Sequence, residues 1–257
     1  MLSPSLRLLH SEADYAACVR LQRLTWGAGF GEVVPASVLK ITNRVGGIVA
    51  GAFVAEELLG FVYGITGLQR GRLVHWSHML AVRPEARDHG IGLRLKHFQR
   101  EVLRGRGVGE ILWSFDPLVA RNAHLNLVRL GVRVEEYVPD MYPASNSELH
   151  GFGTDRLVVA WEMGDAAPSD TGSTHAVAGA PFVSGDEPAD LAPPAVRIEI
   201  PPDIEAVAAR SLEDALAWRA ASRRAFADWL GRGYAVAGFQ RDGAGRCSYL
   251  LTRPGAR

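Results

Sequence analysis

Three residues in the first half of the chain, Arg87, Gly90 and Gly92, have the types and spacing to bind a phosphate group. Glycine lacks a Cβ atom, so the backbone at these two positions can approach a ligand closely. The Arg87 side chain can add a charge-assisted hydrogen bond to a phosphate oxygen. Gly-rich turns are common, so the three residues indicate an anion site only where they lie at a helix N-terminus.

The flanking sequence predicts a strand before these residues and a helix after them. The run from Trp76 to Val82 is mostly apolar, is followed by Arg83-Pro84, and has the composition of a buried strand. Beyond Gly92, apolar residues recur at helical spacing, namely Leu93, Leu95, Phe98, Val102 and Leu103. The first N–H groups of a helix have no intrahelical partner and carry partial positive charge, so an anion can bind there.

Two common nucleotide-binding motifs do not fit this segment. A dinucleotide-binding unit needs G-x-G-x-x-G after its first strand, and the glycines here stand in a different order. A Walker loop needs Gly-Lys-Ser or Gly-Lys-Thr, and neither sequence occurs.

The segment resembles the central acyl-CoA-binding motif of the GNAT (Gcn5-related N-acetyltransferase) superfamily. The residues that carry the resemblance are Leu80, Ala81, Val82, Pro84, Arg87, Gly90 and Gly92, and a second motif is matched by Asn122, Asn126, Leu130 and Gly131. The resemblance implies an α/β (α+β) GNAT fold, with a central mixed, mostly antiparallel sheet flanked by helices. The apolar runs before Val82 agree, because they predict a meander of three strands, and the helix beyond leads to a further strand over residues 110–115.

The resemblance also implies how the chain binds its acyl donor, which is acetyl-CoA or another acyl-CoA such as succinyl-CoA. Two neighbouring parallel strands of the GNAT fold separate, and the pantetheine arm of CoA inserts between them. By position, the arm bonds to the backbone of Leu80, Ala81 and Val82. The residues expected to hold the pyrophosphate are Arg87, Asp88, His89, Gly90, Ile91 and Gly92, and Asn122 is a further expected cofactor contact.

Transfer to an amine needs a base and polarisation of the thioester carbonyl. His78 is our first candidate base, and its ordinary alternative is a hydrogen-bonded core histidine. Asp116, at the end of the next strand, can bind the acceptor amine or act as base through water, or simply cap the turn before Pro117. Strict alternation along the strand predicts one face with Trp76, His78, Leu80 and Val82, and another with His75, Ser77, Met79 and Ala81.

One position departs from the GNAT pattern. Many members have a Tyr four residues before the glycine of the second motif, where it protonates the departing CoA thiolate. This chain has Leu127 there, so we assign that role to no residue. The departure favours an alternative function, a module that binds acyl-CoA without turning it over.

Three residues are candidates for the acceptor site. Trp26 and Glu32 lie in or beside a glycine-rich loop that would border the acceptor pocket, although loop glutamates are usually only solvated. Arg156 can hold an acceptor carboxylate through its two-pronged guanidinium group, and its ordinary alternative is an ion pair with Asp155. A wider set of segments resembles a GNAT branch whose relatives accompany N-acylamino acid racemases and are thought to succinylate amino acids. These segments include residues 75–82, 114–117, 121–124, 140–142 and 154–157. The expected acceptor is therefore a small-molecule amine such as an amino acid.

Composition limits the other partners. The 257 residues carry 28 basic and 28 acidic side chains, a balance that argues against nucleic-acid binding driven by phosphate neutralisation. It also gives less support to a second alternative, an acetyltransferase acting on a protein N-terminus or Lys. Cys18 and Cys247 are expected to be free thiols, and no metal site is expected. With no signal peptide or membrane-spanning run, we expect a soluble, cytoplasmic protein.

Composition also divides the chain. We predict a GNAT domain over residues 1–163, a flexible Pro/Ala/Gly/Ser-rich linker over 164–195, and a small α/β C-terminal unit over 196–257. The oligomeric state stays open, a homodimer included.

Overall fold

The structure of the chain, a computed structural model, describes residues 4–142, 151–164 and 179–253. These residues form two compact units. One draws its described residues from Met1–Trp113, Ser145–Gly151 and Trp161–Gly164, and the other from Ser114–Ala144, Phe152–Ala160 and Asp165–Arg257. The units therefore divide the chain earlier than the predicted border at residue 163. Within the second unit the reason is visible, since the Tyr249 hydroxyl donates to the Pro117 carbonyl oxygen at 2.8 Å.

The elements that begin in the first unit carry the predicted glycine motif. In chain order they are β1 (Ser5–Leu8), α1 (Glu12–Trp26), α2 (Ala36–Arg44), β2 (Ile48–Val54), β3 (Glu57–Gln69), β4 (Arg72–Val82), α3 (Ile91–Arg104) and β5 (Glu110–Phe115). Strands β1 to β4 pair antiparallel with their neighbours, whereas β4 and β5 run parallel. The predicted meander and the helical connection from β4 to β5 are both present.

Helix α1 begins at a capping box. The Ser11 hydroxyl accepts a hydrogen bond from the Asp14 N–H, and the Asp14 carboxylate accepts one from the Ser11 N–H. Asp14 also binds the Arg7 guanidinium at 2.6 Å and 2.9 Å. An apolar core lies between the helices and the sheet, and its buried members include Tyr15, Cys18, Leu21, Leu39, Phe53, Phe61, Tyr63, Met79 and Ala81.

A β-bulge at His78 interrupts the pairing of β3 with β4. Tyr63 pairs with Met79 and Gly64 pairs with Ser77, so His78 is the extra residue on β4. A bulge shifts the two-residue period of a strand by one position. The side chains on the two sides of His78 therefore follow different registers.

The bulge overturns the predicted alternation along β4. Ser77 hydrogen-bonds to α3, and Leu80 and Val82 flank the first turn of the same helix. Met79 instead belongs to the apolar core with α1, and His78 contacts a ring of that core. Leu80 and Val82 thus lie on the opposite face from His78, because the extra residue reverses the pattern.

The elements that begin in the second unit come from both predicted domains. They are α4 (Ala120–Ala123), continued as a π-helical segment over His124–Arg129, then β6 (Arg133–Val138), β7 (Arg156–Glu162), β8 (Ala195–Ile200), α5 (Ile204–Arg210), α6 (Leu212–Gly231), β9 (Ala235–Arg241) and β10 (Cys247–Thr252). The prediction missed α5, which begins where Asp203 accepts a hydrogen bond from the Ala206 N–H at 2.9 Å. The strands are ordered β1-β2-β3-β4-β5-β7-β6 in a seven-stranded sheet and β8-β10-β9 in a three-stranded sheet.

Aromatic side chains form the centre of the second unit. The Phe226 ring stacks on Tyr137 at 5.1 Å between centroids and meets Tyr249 edge to face at 5.2 Å. Phe226, Tyr249 and Trp229 are fully buried. This core orders β6, α6 and the C-terminal hairpin together.

Part of the predicted linker is ordered. The described residues 179–194 contact β8 and α6, since the Val183 N–H donates to the Arg197 carbonyl at 2.9 Å and Arg232 donates to the Glu187 carbonyl at 2.8 Å. The Trp229 indole N–H also donates to the Glu187 carboxylate at 3.2 Å. Backbone hydrogen bonds and arginine contacts therefore hold a stretch whose composition offers few apolar side chains to bury. Residues 165–178 lie outside the described residues.

Two further predictions concern cysteines and membranes. Cys18 and Cys247 are buried, free thiols, and burial raises the pKa of Cys18 to about 12. Among the described residues, no helix combines the length and apolarity needed to cross a membrane.

Candidate functional site

The glycine loop between β4 and α3 has a backbone conformation suited to binding an anion. Asp88 and Gly90 both have positive φ angles, 63° and 71°, and Gly90 is the N-cap residue of α3. When residues of positive φ alternate with residues of negative φ, successive backbone N–H groups point toward one side. The first N–H groups of α3 lie next to them and have no intrahelical partner. A Cβ atom at Gly90 would meet no atom within 4 Å. The loop therefore offers open space, partial positive charge and donors, which is what a pyrophosphate needs.

The predicted pyrophosphate residues all lie in this loop or in the first turn of α3. The Arg87 guanidinium is exposed and its Nε lies 3.5 Å from the Val82 carbonyl oxygen, and the His89 ring donates to the Arg87 carbonyl at 2.6 Å. Ile91 is buried against the sheet, whereas Gly92 is half-buried. The expected donors are thus backbone groups and Arg87, rather than the His89 ring.

The predicted pantetheine-binding residues lie next to the glycine loop. An ideal Cβ atom on Gly92 would be 3.7 Å from Leu80 Cδ2 and 4.0 Å from Val82 Cγ2. Parallel pairing of β4 with β5 runs from Val74 to Trp76 and ends there among the described residues. Beyond Trp76, β4 can offer the backbone groups on that edge to an extended ligand.

His78 projects from the bulge toward the α1 side of the sheet. Its ring meets the Tyr63 ring edge to face, with centroids 5.9 Å apart. Although the side chain is exposed, the protein around the ring lowers its pKa by desolvation, and the Glu32 carboxylate opposes that shift. A lowered pKa keeps the imidazole neutral near pH 7, as a base requires.

Trp26 and Glu32 occupy the loop side of the same unit. The Trp26 ring stacks on Phe30 at 5.6 Å and meets Phe61 edge to face at 6.3 Å. Glu32 is exposed, and its carboxylate acts on the His78 pKa. Trp26 therefore packs against the apolar core, while Glu32 is the member of the pair that is electrostatically linked to His78.

A chain of buried polar side chains behind β4 was not predicted from the sequence. The Lys96 ammonium donates to Ser77 Oγ at 2.8 Å, and the Ser77 hydroxyl donates to Gln99 Oε1 at 2.8 Å. The Gln99 amide is 3.0 Å from His75 Nε2, and His75 Nδ1 is 2.9 Å from Thr66 Oγ1. A signal was present, since Lys96 and Gln99 are three residues apart and share a helix face with the buried Leu103.

Burial sets the protonation state of His75 in this chain. The side chain is fully buried, and desolvation, with the nearby charges of Lys96 and Arg106, lowers its pKa to about 3. The ring is therefore neutral. Its Nε2 accepts from the Gln99 amide, so Nδ1 carries the hydrogen and donates to Thr66.

Asp116 lies in the second unit, where both carboxylate oxygens are engaged. Oδ1 accepts from the Leu118 N–H at 2.8 Å, and Oδ2 accepts from Arg219 Nη2 at 2.6 Å. Arg156 Nη1 is 3.7 Å from the same Oδ2. Asp116 thus caps the turn at Pro117, and its carboxylate is an ion-pair partner of two buried guanidinium groups.

Arg156 contacts Asp155 through its backbone carbonyl oxygen. Its Nη1 donates to the Asp155 backbone carbonyl at 2.8 Å, while the Asp155 carboxylate accepts from the Tyr137 hydroxyl at 2.5 Å and binds Arg223. Desolvation lowers the pKa of Arg156, and Asp116 opposes that shift. Arg219 and Arg223 are far in sequence from their partners Asp116 and Asp155, so these ion pairs were not predicted.

Asn122 and Leu127 lie in α4 and its π-helical continuation. Asn122 is half-buried, and its N–H donates to the Val119 carbonyl at 2.9 Å. Leu127 is buried with 7% of its surface exposed. A buried leucine can pack but cannot donate a proton, which agrees with leaving the acid role unassigned.

Comparison with known proteins supports the fold. No protein-family model matches the sequence, and no curated protein sequence matches it. Among solved structures, aminoglycoside 6'-acetyltransferase type Ii is 19% identical with a TM-score of 0.50, over 63% of this chain and 99% of that one. YncA from Salmonella typhimurium, provisionally assigned as an acetyltransferase and solved with its cofactor acetyl-CoA, is 16% identical with a TM-score of 0.50, over 65% of this chain and 97% of that one. The predicted fold class is confirmed: the chain has the GNAT fold, with a small three-stranded sheet at its C-terminal end.

Proposed function

Because the chain has the GNAT fold, we propose that it is an acyl-CoA-dependent N-acyltransferase, which transfers an acetyl or succinyl group directly to the amine of a small molecule. The observation that carries the proposal is the glycine loop at the N-terminus of α3, beside the stretch of β4 whose pairing with β5 has ended. An acyl-CoA has the two features that this surface fits. Its pyrophosphate suits the loop, and its amide-containing pantetheine arm suits a free strand edge.

The donor site has two parts in this proposal. The N–H groups of residues 88–92, with the Arg87 guanidinium, hold the pyrophosphate, whereas the Arg87 N–H is donated to the Pro84 carbonyl oxygen. The backbone of Leu80, Ala81 and Val82 bonds to the pantetheine arm, while the side chains of Leu80 and Val82 pack beside Gly92. Asn122 is a further cofactor contact of this proposal. Bound there, acyl-CoA supplies an activated acyl group.

His78 is the base of the proposed reaction. Its imidazole is neutral and accessible, and the bulge places it on the α1 side of the sheet. The amine must lose a proton when the N–C bond forms, and the imidazole can take it. Glu32 stabilises the resulting imidazolium, because its charge raises the His78 pKa. Trp26 anchors the loop that carries Glu32.

The proposed acceptor carries a carboxylate, as an amino acid does. The second unit contains two buried guanidinium groups on Asp116, and Nη1 of Arg219 has no hydrogen-bond partner among the described residues. A buried, unpaired N–H favours an anion that can accept from it. We assign the carboxylate contact to Arg156 with Arg219, and we assign Asp116 the task of holding the two groups in place.

Leu127 favours one other function, a module that binds acyl-CoA without transferring its acyl group. The experiment that separates the two measures CoA release from acetyl-CoA and succinyl-CoA against L- and D-amino acids, other small amines and peptides. We expect release with an amino acid and a loss of turnover in His78→Ala at unchanged CoA affinity. We expect Arg156→Gln to raise KM for carboxylated acceptors only. Tight CoA binding with no turnover above the His78→Ala background would instead establish the binding module.

A further inference from the structure

Lys96 is a buried ammonium group without a carboxylate. Only 3% of its surface is exposed, and its described contacts are the hydrogen bond to Ser77 Oγ and the Trp113 ring, whose centroid is 3.7 Å from Nζ. No ion pair among the described residues includes it. Burial lowers the pKa of Lys96 well below its usual value. A buried lysine without a neutralising carboxylate destabilises a fold. Such lysines are therefore found mainly at functional sites, where the amine takes part in the chemistry.

The polar chain behind β4 holds this ammonium in one orientation. Lysine only donates, so Ser77 Oγ must accept from it and must donate onward to Gln99. At the far end, the Thr66 hydroxyl donates to the Gly46 carbonyl, which only accepts. The direction of every hydrogen bond is thereby fixed.

The chain does not carry the Lys96 proton away. The Gln99 side chain is an amide, which neither gains nor loses a proton near neutral pH, and His75 beyond it stays neutral. Arg106, at the far end, donates to the Gly46 carbonyl at 3.0 Å. No acid or base among these groups competes for the proton, so this chain of hydrogen bonds does not relay it.

Both partners of Lys96 lie where β4 and β5 stop pairing. The parallel ladder ends at Trp76 opposite Leu112, and the next residues of the two strands are Ser77 and Trp113. The Trp113 ring is itself held edge to face by Trp161 at 6.2 Å between centroids. Lys96 therefore lies at the fork of the two strands, on the face that also carries Leu80 and Val82.

We propose that Lys96 is the proton donor for the sulfur atom of the departing CoA. The inference rests on the proposed function, because it takes the pantetheine arm to lie along β4 with its sulfur at the fork. It supplies the acid that Leu127 cannot supply.

The proton balance of the transfer is complete with the residues present. As the N–C bond forms, His78 takes a proton from the amine. As the C–S bond breaks and its electron pair passes to sulfur, Lys96 gives a proton from Nζ to sulfur. Free CoA leaves as a thiol, and solvent returns the proton from the imidazolium of His78 to the neutral amine of Lys96.

The test titrates the thiol of bound CoA and needs no acceptor. The full chain is mixed with CoA, and thiolate formation is followed by ultraviolet absorbance as the pH is raised. A parallel titration with desulfo-CoA, which has no thiol, gives the protein background to subtract. A cation beside the sulfur should lower the thiol pKa by about 1–3 units relative to free CoA. Lys40→Met, which changes an exposed lysine paired with Glu12, is the matched control and should titrate like the wild type.

Three variants test the inference. In Lys96→Met the thiol pKa should rise by at least about one unit while CoA affinity by calorimetry stays unchanged. Lys96→Arg should keep the low thiol pKa but lose turnover, because a guanidinium does not give up its proton. If Lys96→Met does not fold, Ser77→Ala serves instead. It removes the hydrogen bond that holds the ammonium in place, so it should also raise the thiol pKa.

The inference and the proposed function fail in different ways. If CoA binds to the wild type and to Lys96→Met and the thiol titrates identically in both, the inference is overturned and the function stands. If CoA does not bind to the wild type, the proposed function is overturned, and the inference with it.

Discussion

The Lys96 ammonium donates to Ser77 Oγ at 2.8 Å from inside the protein, with a neutral hydroxyl rather than a carboxylate as its partner. A charge buried in this way costs several kcal/mol of desolvation, which one hydrogen bond and one ring contact offset only in part. The residue therefore weakens the fold that it belongs to. Its presence is explained by the chemistry proposed for it.

Lys96→Met should leave the free energy of unfolding unchanged or raise it by about 1–2 kcal/mol. Methionine has a similar volume and no charge to desolvate. Urea denaturation at pH 7 measures the change, with Lys40→Met as the exposed control. A loss of more than about 2 kcal/mol would show that the ammonium stabilises the structure.

His75 should make the protein less stable in acid. Its pKa is about 3 in the folded chain and 6.5 when unperturbed, so between these values the unfolded chain binds a proton that the folded chain does not. Stability is then lost as pH falls below 6.5, at up to about 1.4 kcal/mol per pH unit. In His75→Gln the pH slope of the unfolding free energy should be smaller by this amount, and an unaltered slope would contradict the assignment.

Gly92→Asp should weaken CoA binding about tenfold or more without weakening the fold. The new carboxylate would lie in the first turn of α3, where it repels a phosphate but interacts favourably with the helix dipole. Gly92→Ala is the matched control, since its Cβ would lie at an ordinary 3.7 Å from Leu80 Cδ2. Calorimetry with CoA gives the affinity, and equal affinities for the two variants would place the pyrophosphate elsewhere.

His78→Ala should lower kcat strongly while CoA affinity is kept. In the wild type, activity should fall as pH drops through the His78 pKa, which lies below 6.5 because the protein around the ring desolvates it. The exposed His124→Ala should change neither quantity. If the activity of His78→Ala still falls as pH is lowered, as it does in the wild type, the base is another residue.

Asp116→Asn should destabilise the protein by about 3–5 kcal/mol. Asparagine keeps the hydrogen bond from the Leu118 N–H but removes the carboxylate charge that the buried Arg219 and Arg156 share. Glu205→Gln, which breaks the largely exposed pair with Arg121, is the comparison and should cost less than about 1 kcal/mol. Thermal or urea denaturation measures both, and similar losses would mean that Asp116 is not the anchor of the buried arginines.

Local signals explain which predictions agree with the structure. The apolar run before Arg83-Pro84, the glycines at 90 and 92 and the helical spacing beyond them specify strand, turn and helix within about thirty residues. Each signal depends on neighbours in sequence, so β4, the loop and α3 were predictable. The fold class followed from the same motif.

The environment of individual side chains was not predictable. The bulge at His78 is a single extra residue relative to β3, and it reverses the faces of Leu80 and Val82 without altering the apolar character of the run. Composition did not reveal the contacts of residues 179–194 either, because these are hydrogen bonds to β8 and to the C-terminal end of α6 rather than buried apolar side chains.

The sequence by itself determined the GNAT fold, through its resemblance to the central motif, and the glycine loop at the start of α3, because backbone conformation there depends on glycine, proline and apolar spacing. Only the tertiary structure decided what the charged groups meet. Arg219 reaches Asp116 across 103 residues, and Lys96 reaches a serine and a tryptophan on two different strands. The protonation of a buried group depends on the atoms packed around it in space, and those atoms come from distant parts of the chain.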